Sequence, residues 1–421
     1  MSKVVVVGQG YVGLPMGLRA AEAGHQVTGL DLNEQMVANL NAGVSHIDDI
    51  SDAELAAGIE RGFRATTDAS CIADADVVVV CVPTPLSPDG GPDLGAVRGA
   101  ARSIGAHVTP GTLCILESTT YPGTTEEDFA PLVLGDKYEL GKDIYIAFSP
   151  ERIDPGNEKY GVKNTPKVVG GMTPESTEKA HDFYASFIDT VVKAKGAKEA
   201  EMAKLLENTF RHVNIALVNE MVRFSQELDI DLWDAIDAAA TKPFGFMAFR
   251  PGPGVGGHCI PVDPSYLSHR VKAKLGYAFR MVELAEEINT AAPQYVAERT
   301  REMLNDAKKA VNGSKVLLLG VTYKPNISDC RESPADPFAA RLLGWGADLQ
   351  YHDPYVQTWH PHGVAATFET QADPYDAAAQ ADVVILLQQH HVYDLDKIAA
   401  AGTPVLDTRG VMNEAANVSC L

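Results

Sequence analysis

A chain of 421 residues is too long for one small hydrophobic core, so two or three domains are expected. Hydrophobic residues at 45% and charged residues at 22% are the composition of a globular chain, and a formal net charge of −21 argues against general nucleic-acid binding and against adsorption to anionic membranes. Six scattered cysteines (71, 81, 114, 259, 330 and 420), with no CxxC pair and no Cys/His cluster, are neither a disulfide framework nor a zinc site.

The chain opens on a strand-like run without a signal-peptide core and holds no apolar run of membrane-spanning length. Together with the scattered thiols, this gives a cytoplasmic location and no membrane partner as the expectation. Lys3–Val7 is a β-branched run that predicts a strand buried on both faces. It leads into Gly8-Gln9-Gly10-Tyr11-Val12-Gly13, with a helical stretch from about Tyr11 to Ala23. A second strand, Gln26–Asp31, ends in an acid 18 positions after Gly13. Strand, glycine turn, helix, strand and acid form the complete dinucleotide-binding unit. Gly8 permits the tight turn, Gly10 lets a pyrophosphate approach the backbone, and Gly13 lets helix and strand pack closely. Asp31 would accept hydrogen bonds from a ribose hydroxyl and repel a 2′-phosphate, which favours NAD over NADP. The expected cofactor residues here are Gly8, Gly10, Tyr11, Val12, Gly13 and Asp31.

Further strands are predicted at Asp76–Val82, Leu113–Glu117 and Ile144–Ser149, alternating with helices near Ser51–Arg61, Asp93–His107 and Thr124–Val133. That alternation predicts a doubly wound parallel sheet with ligands beyond the carboxyl ends of its strands. Three polar loops lie at such exits: Pro83-Thr84-Pro85, Glu117-Ser118-Thr119-Thr120 and Ser149-Pro150-Glu151-Arg152. Singly each is an ordinary turn, but their shared position points to a site. Val168–Gly171 and Thr190–Val192 are expected to add edge strands before the domain closes near Lys195.

From Gly196 the period changes. Ala200–Leu228 is one long helical pattern, and Leu232–Ala240 continues it. Lys204 and Asn208 fall on one face with Arg211 nearby, although a helical lysine is ordinarily solvated. The stretch Phe249–Leu267 then concentrates Gly252, Gly254, Gly256 and Gly257 with Pro251, Pro253 and Pro261 around one thiol, Cys259. Asp263 follows four residues on. Such a thiol is either an inert core cysteine or a nucleophile whose neighbouring carboxylate orders water. His258 is read as structural. Helical pattern resumes at Ala278–Thr290 and, past Pro293, at Tyr295–Asn305. Helices between two sheet domains make a natural dimer interface.

At Gly313 a second α/β unit begins. Lys315–Leu319 then Gly320 echoes Lys3–Val7 then Gly8, and Ala381–Leu386 echoes Ala75–Val80. This half lacks the full glycine fingerprint, which suits a nucleotide better than a second dinucleotide. Its loop Tyr323–Pro334 carries Lys324 and Arg331, cations suited to phosphate. The expected fold is α/β: two Rossmann-like doubly wound domains joined by a central helical dimerisation region. The boundaries are 1–195 for NAD, 196–310 for the helical part with the cysteine loop, and 311–421 for the nucleotide.

The motifs GQGYVGLP, CVPTP, ESTTYPGTT, FSPERIDPGN, AKLLENTFRHVNIALVNE, PGPGVGGHCIPVDP and GVTYKPNISDCRESP, in this order, resemble those of the UDP-glucose/GDP-mannose dehydrogenase family over essentially the whole chain. Within it, DAAATKPFGF with SPERIDPGN looks most like the UDP-N-acetylglucosamine 6-dehydrogenases. UDP-N-acetylmannosamine and UDP-glucose dehydrogenases are the alternatives. The resemblance implies a four-electron, NAD-dependent oxidation of the sugar C6 alcohol through a thiohemiacetal and a thioester on Cys259. It also implies that Lys204 stabilises oxyanion charge, assisted by Asn208. Asp263 orients or activates water, and Glu151 with Thr119 serves as the acid/base and water-positioning pair.

The same resemblance places Thr84, Thr119 and Arg331 at the cofactor. It places Glu151, Arg152, Lys204, Asn208, Arg211, Arg250, Gly252, Gly256, Gly257, Tyr323 and Lys324 at the UDP-sugar. Arg211 and Lys242 touch the sugar or a neighbouring subunit of a homodimer, and Arg250 adjusts the choice of sugar. Two other classes are weighed against this. A catalytically silent NAD-binding regulator would be expected to lose the thiol or the lysine, and both are here. A two-electron hydroxy-acid dehydrogenase needs no cysteine.

Overall fold

A computed structural model describes residues 1–421 other than 48–49, 88–90, 154–156, 158 and 258–259. The chain divides into two compact units. One holds residues 1–207 and 265–276, the other residues 208–264 and 277–421.

The first unit is built on strands β1 (Lys3–Val7), β2 (Gln26–Leu30), β3 (Phe63–Thr66), β4 (Val77–Val80), β5 (Leu113–Leu116), β6 (Tyr145–Phe148), β7 (Lys167–Gly171) and β8 (Val191–Lys193). Their order is β3-β2-β1-β4-β5-β6-β7-β8. Alternate side chains of a strand point to opposite faces, and both faces of this sheet are covered. Val4, Val6, Val77 and Val79 therefore enter one hydrophobic layer, while Val5, Val7, Val78 and Val80 enter the other. Helices α1 (Gly13–Glu22), α2 (Glu34–Asn41), α3 (Asp52–Glu60), α4 (Gly95–His107), α5 (Ala130–Leu134) and α6 (Pro174–Ala185) complete the layers. The direction of winding reverses at β1 and β4, so the crevice for a ligand lies beyond their carboxyl ends.

Two expectations for this sheet need correction. It is not wholly parallel, because β7 runs antiparallel to β6. No helix among the described residues separates Phe148 from Lys167, and without a crossover the chain returns in the opposite sense. Nor is the stretch containing Val168–Gly171 an edge, since β8 lies outside it. The other edge, β3, was not foreseen.

Helix α7 (Ala197–Glu227) runs from the first unit into the second for 31 residues. Helix α8 (Leu232–Ala240) matches its sequence pattern. Helix α9 (Asp263–Leu275), which the glycine-rich stretch had hidden, starts on Asp263. Helix α10 (Arg280–Asp306) runs straight through Pro293 where two helices were expected. A proline removes one donor to the carbonyl four residues back but does not compel a break when its ring is packed. Pro293 is buried, 3.3 Å from the position a Cβ on Gly254 would take.

The second unit carries β9 (Lys315–Leu319), α11 (Ala335–Gly344), β10 (Asp348–His352), a short hairpin of β11 (Thr358–Trp359) and β12 (Phe368–Glu369), α12 (Pro374–Gln380), β13 (Val383–Leu386), α13 (Leu395–Ala400), β14 (Val405–Asp407) and β15 (Val418–Cys420). The sheet order is β10-β9-β13-β14-β15, all parallel. Val316 and Leu318 face one layer, Leu317 and Leu319 the other. The echo of Gly8 at Gly320 is real in space: both have positive φ, and each abuts the residue leaving the neighbouring strand, Cys81 and Gln388 respectively.

Candidate active site

In the first unit the three fingerprint glycines have distinct surroundings. A Cβ on Gly8 would lie 2.7 Å from the Cys81 carbonyl oxygen, and one on Gly13 would lie 1.9 Å from the Gly8 oxygen. A Cβ on Gly10 would meet nothing within 4 Å. The protein's own packing therefore accounts for Gly8 and Gly13, while the space over Gly10 suits a ligand. No side chain caps the start of α1 at Val12, and a helix N-terminus favours an anion. The Asp31 carboxylate is fixed by the Gln9 amide (2.9 Å) and the Asn33 amide (2.9 Å), at the exit of β2 where a ribose would lie. These features fit a bound dinucleotide, and Tyr11 stands half-exposed beside them.

The polar loops at the strand exits meet as their shared position implied. Thr84 Oγ1 donates to the Thr119 carbonyl at 2.8 Å, and the Tyr266 hydroxyl donates to the Thr84 carbonyl. Lys204 on α7 is only 7% exposed, contrary to the solvated reading of a helical lysine. Its ammonium donates to the Glu151 main-chain carbonyl at 2.5 Å. The Glu151 carboxylate accepts from the Ile153 amide and stands 3.7 Å from Lys167. Arg152 pairs with Glu207 and donates to the Pro166 carbonyl at 2.9 Å.

Behind these groups lies a buried cluster that sequence reading missed. Lys167 is 2.9 Å from Glu117, which also accepts from the Tyr184 hydroxyl. Burial works against the Lys167 charge, but Glu117 and Glu151 outweigh it and push its pKa up. Burial pushes the Glu117 carboxyl up as well, against the pull of Lys167. A lysine opening an apolar strand looks like a solvated end, so its sequence carried no signal.

In the second unit Asn208 and Asp263 come together. Asn208 Nδ2 donates to Asp263 Oδ2 at 2.5 Å, and both residues are buried. The loop containing Gly252, Gly256 and Gly257 locks onto the loop after β9. The Gly257 amide donates to the Arg331 carbonyl at 3.1 Å, and a Cβ on Gly257 would strike the Tyr323 ring at 2.7 Å. A Cβ on Gly256 would lie 2.6 Å from the Glu332 carbonyl oxygen. The Arg331 guanidinium is held by Asp329, while Thr322 donates to the Lys324 carbonyl at 2.8 Å. Arg250 pairs with Asp237 near the surface, and Arg211 is exposed. Cys259 and His258 lie outside the described residues.

Further residues in this unit support the glycine loop. The Gly252 amide donates to Asn219 at 3.0 Å; Asn219 donates to Asn289 at 3.0 Å, and Asn289 donates to the His212 carbonyl at 3.2 Å. Arg409, following β14, donates through Nε to the Leu387 carbonyl at 2.7 Å. Its Nη1 lies 3.3 Å from where a Cβ on Gly252 would be. Burial pushes Arg409 down to about 10, against the pull of Asp407. A half-buried guanidinium facing a glycine backbone is suited to an anion.

The chain matches the UDP-glucose/GDP-mannose dehydrogenase family over three successive stretches: the NAD binding domain over residues 2–188, the central domain over 198–291 and the UDP binding domain over 317–414. It belongs to that family. The chain is an NAD-dependent UDP-sugar 6-dehydrogenase, an oxidoreductase acting on the sugar C6 hydroxyl. It is 34% identical over 425 residues to the UDP-N-acetyl-D-mannosamine dehydrogenase of Methanocaldococcus jannaschii, covering 98% of this chain and 93% of the relative. It is also 34% identical over 419 residues to the UDP-N-acetyl-D-glucosamine 6-dehydrogenase of Pseudomonas aeruginosa, covering 98% and 97%. Among solved structures, the UDP-D-ManNAc dehydrogenase of Pyrococcus horikoshii superposes with a TM-score of 0.89 at 30% identity, covering 99% of this chain and 98% of that one. Among the described residues, no helix of the dehydrogenase is long and apolar enough to cross a membrane.

Proposed function

We propose that the dehydrogenase converts UDP-N-acetylglucosamine to UDP-N-acetylglucosaminuronate in two oxidations, through a thiohemiacetal and a thioester on Cys259. The observation that carries this reading is on α7. Lys204 and Asn208, one turn apart and both buried, are held respectively by the Glu151 carbonyl and the Asp263 carboxylate. Bound NAD supplies the hydride acceptor, one molecule for each oxidation.

The first oxidation takes a hydride from C6 and the hydroxyl proton, leaving an aldehyde. The Cys259 thiolate adds to the aldehyde carbon, and the new alkoxide is stabilised by the Lys204 ammonium and the Asn208 amide. Loss of the second hydride gives the thioester. Water then attacks the acyl carbon, the thiolate leaves, and the carboxylate forms with release of a proton. Glu151 takes the proton from that water, Thr119 positions it, and Asp263 holds Asn208 in place and orders the remaining solvent. On the nucleotide side, Lys324, Arg331 and Arg409 are the cations for the diphosphate, and the Gly252–Gly257 backbone faces phosphate and sugar. Arg152, Arg211 and Arg250 line the sugar's surroundings.

A second reading, UDP-N-acetylmannosamine, is favoured by relatives of that name at the same identity. Counting NADH per product with both sugars, UDP-glucose and UDP-N-acetylgalactosamine tests the choice, with Cys259→Ala as control. Two NADH per UDP-N-acetylglucosamine, lost in the variant, is the expected result. Turnover only with another sugar moves the substrate assignment. Silence with every sugar returns the regulator.

Helix α7 also supports a homodimer. Met202, Leu206, Phe210, Leu217 and Phe224 are exposed on one of its faces, and a second copy is the natural cover. The cysteines at 71, 81, 114, 330 and 420 are free thiols, in keeping with the cytoplasm. A nucleotide-activated uronate is the donor chemistry that polysaccharide assembly consumes.

A further inference from the structure

Strand β7 begins with a charge where the rest of the strand is apolar. The Lys167 side chain is 8% exposed, and its ammonium stands between two carboxylates, 2.9 Å from Glu117 Oε1 and 3.7 Å from Glu151 Oε2. Glu117 is closed off from behind. The Tyr184 hydroxyl donates to Oε1, and the Cys81 thiol lies 3.8 Å from Oε2. A buried ion pair is a weak stabiliser, because desolvation of both charges offsets their attraction. Two carboxylates also compete here for one ammonium. Packing alone would be served better by apolar residues. The arrangement instead fixes both the place and the electrostatic surroundings of the carboxylate that is least buried of the three charges, Glu151.

We infer that Lys167 is a positioning residue for Glu151, and that Glu117 holds Lys167 in place for that task. This rests on the reading of Glu151 as the group that takes the proton from hydrolytic water. Other groups lie around the pair. Lys204 donates to the Glu151 main-chain carbonyl, Arg152 pairs with Glu207, and Cys81 and Tyr184 lie beyond Glu117. The Ile153 amide fixes the remaining oxygen. Lys167 is the only cation among the described residues paired directly with the Glu151 carboxylate, so its removal leaves Oε2 without that contact. Acyl-enzyme hydrolysis then slows while the two hydride transfers do not. Removing the Glu117 carboxylate frees Lys167 and acts in the same direction, to a smaller degree.

The test separates the two-NADH burst from decay of the acyl-enzyme by rapid quench, using whichever UDP-hexose yields NADH. Lys167→Met alone would leave Glu117 buried without its partner, so it is combined with Glu117→Gln. The double variant is expected to slow acyl-enzyme decay about tenfold or more with the burst unchanged, and Lys167→Arg to restore decay toward wild type. A purely structural pair would lower burst, decay and melting temperature together. If Glu151→Gln slows decay while the double variant does not, the role of Lys167 is overturned and that of Glu151 stands. If Glu151→Gln leaves decay unchanged, the reading of Glu151 falls and takes this inference with it.

Discussion

Alanine at the three fingerprint glycines separates packing from ligand contact, and the structure gives each substitution its own expected result. At Gly8, φ is +91° and the new Cβ would sit 2.7 Å from a main-chain oxygen of Cys81. The left-handed conformation alone costs about 1–2 kcal/mol for a residue with a Cβ, and the clash adds to it. At Gly13 the Cβ would stand 1.9 Å from the Gly8 carbonyl oxygen, backbone against backbone, with no rotamer to relieve it. Overpacking of this kind costs about 1–3 kcal/mol or more. Gly10 lies outside the left-handed region and has nothing within 4 Å of its would-be Cβ. Alanine there is expected to leave stability unchanged or raise it by about 0.4–1 kcal/mol. Its effect falls on the cofactor: a methyl where the pyrophosphate approaches removes about 1.4 kcal/mol or more of binding, and the KM for NAD rises roughly tenfold. Urea melts and NAD titration of initial rates read the two properties separately. Gly10→Ala with an unchanged KM for NAD would refute the placement of the pyrophosphate, and Gly10→Ala as unstable as Gly13→Ala would refute the packing argument.

Three other outcomes are expected. Burial pushes His212 down to about 4 from an ordinary 6.5, so the unfolded chain takes up this proton before the native one does. Its contribution to stability is therefore full above pH 6.5 and is lost as pH falls toward 4. The loss amounts to about 3 kcal/mol, read as the excess drop in unfolding free energy of wild type over His212→Gln. Glu151→Gln is expected to give a burst of two NADH per site and then turn over about a hundredfold slower or worse, with acyl-enzyme accumulating on Cys259. If Asp263→Asn blocks hydrolysis and Glu151→Gln does not, the two carboxylates exchange roles. Leu206→Asp combined with Phe210→Asp is expected to halve the particle mass by light scattering, and a mass unaltered by both charges would place the dimer elsewhere.

Much of the first sheet was legible because its signals are local. A β-branched run followed by glycines at fixed spacing and an acid at the next strand exit defines a unit whose parts are neighbours in sequence, and β1, α1, β2 and Asp31 lie where that pattern puts them. The polar loops at Thr84 and Thr119 were legible for a related reason, since parallel strands bring their exits to one edge. What was not legible depends on partners far away in sequence. Glu117 meets Lys167 across 50 positions, and Asn219 meets Asn289 across 70. Neither residue type in its own stretch distinguishes a buried network from a solvated end. The same holds for Pro293, whose tolerance inside α10 is decided by the glycine loop packed on it.

Helix α7 departs from the pattern of an ordinary surface helix. At about 100° per residue, Lys204, Asn208, His212 and Asn219 fall within one arc, and Met202, Leu206, Phe210, Leu217 and Phe224 fall within another roughly 160° away. All four polar residues are no more than 7% exposed, with Val218 and Val222 buried beside them, while the five apolar residues face out. The rule for a surface helix presumes a purely apolar face turned inward, and the ordinary solvated position of a helical lysine follows from it. Inward polar groups are costly unless paired, and for Lys204, Asn208 and Asn219 the partners are the Glu151 carbonyl, Asp263, Asn289 and the Gly252 amide. Those partners belong to the loops proposed to carry the chemistry. The same helix thus combines polar groups held inward by those loops with an apolar outer face exposed at Met202, Leu206, Phe210, Leu217 and Phe224.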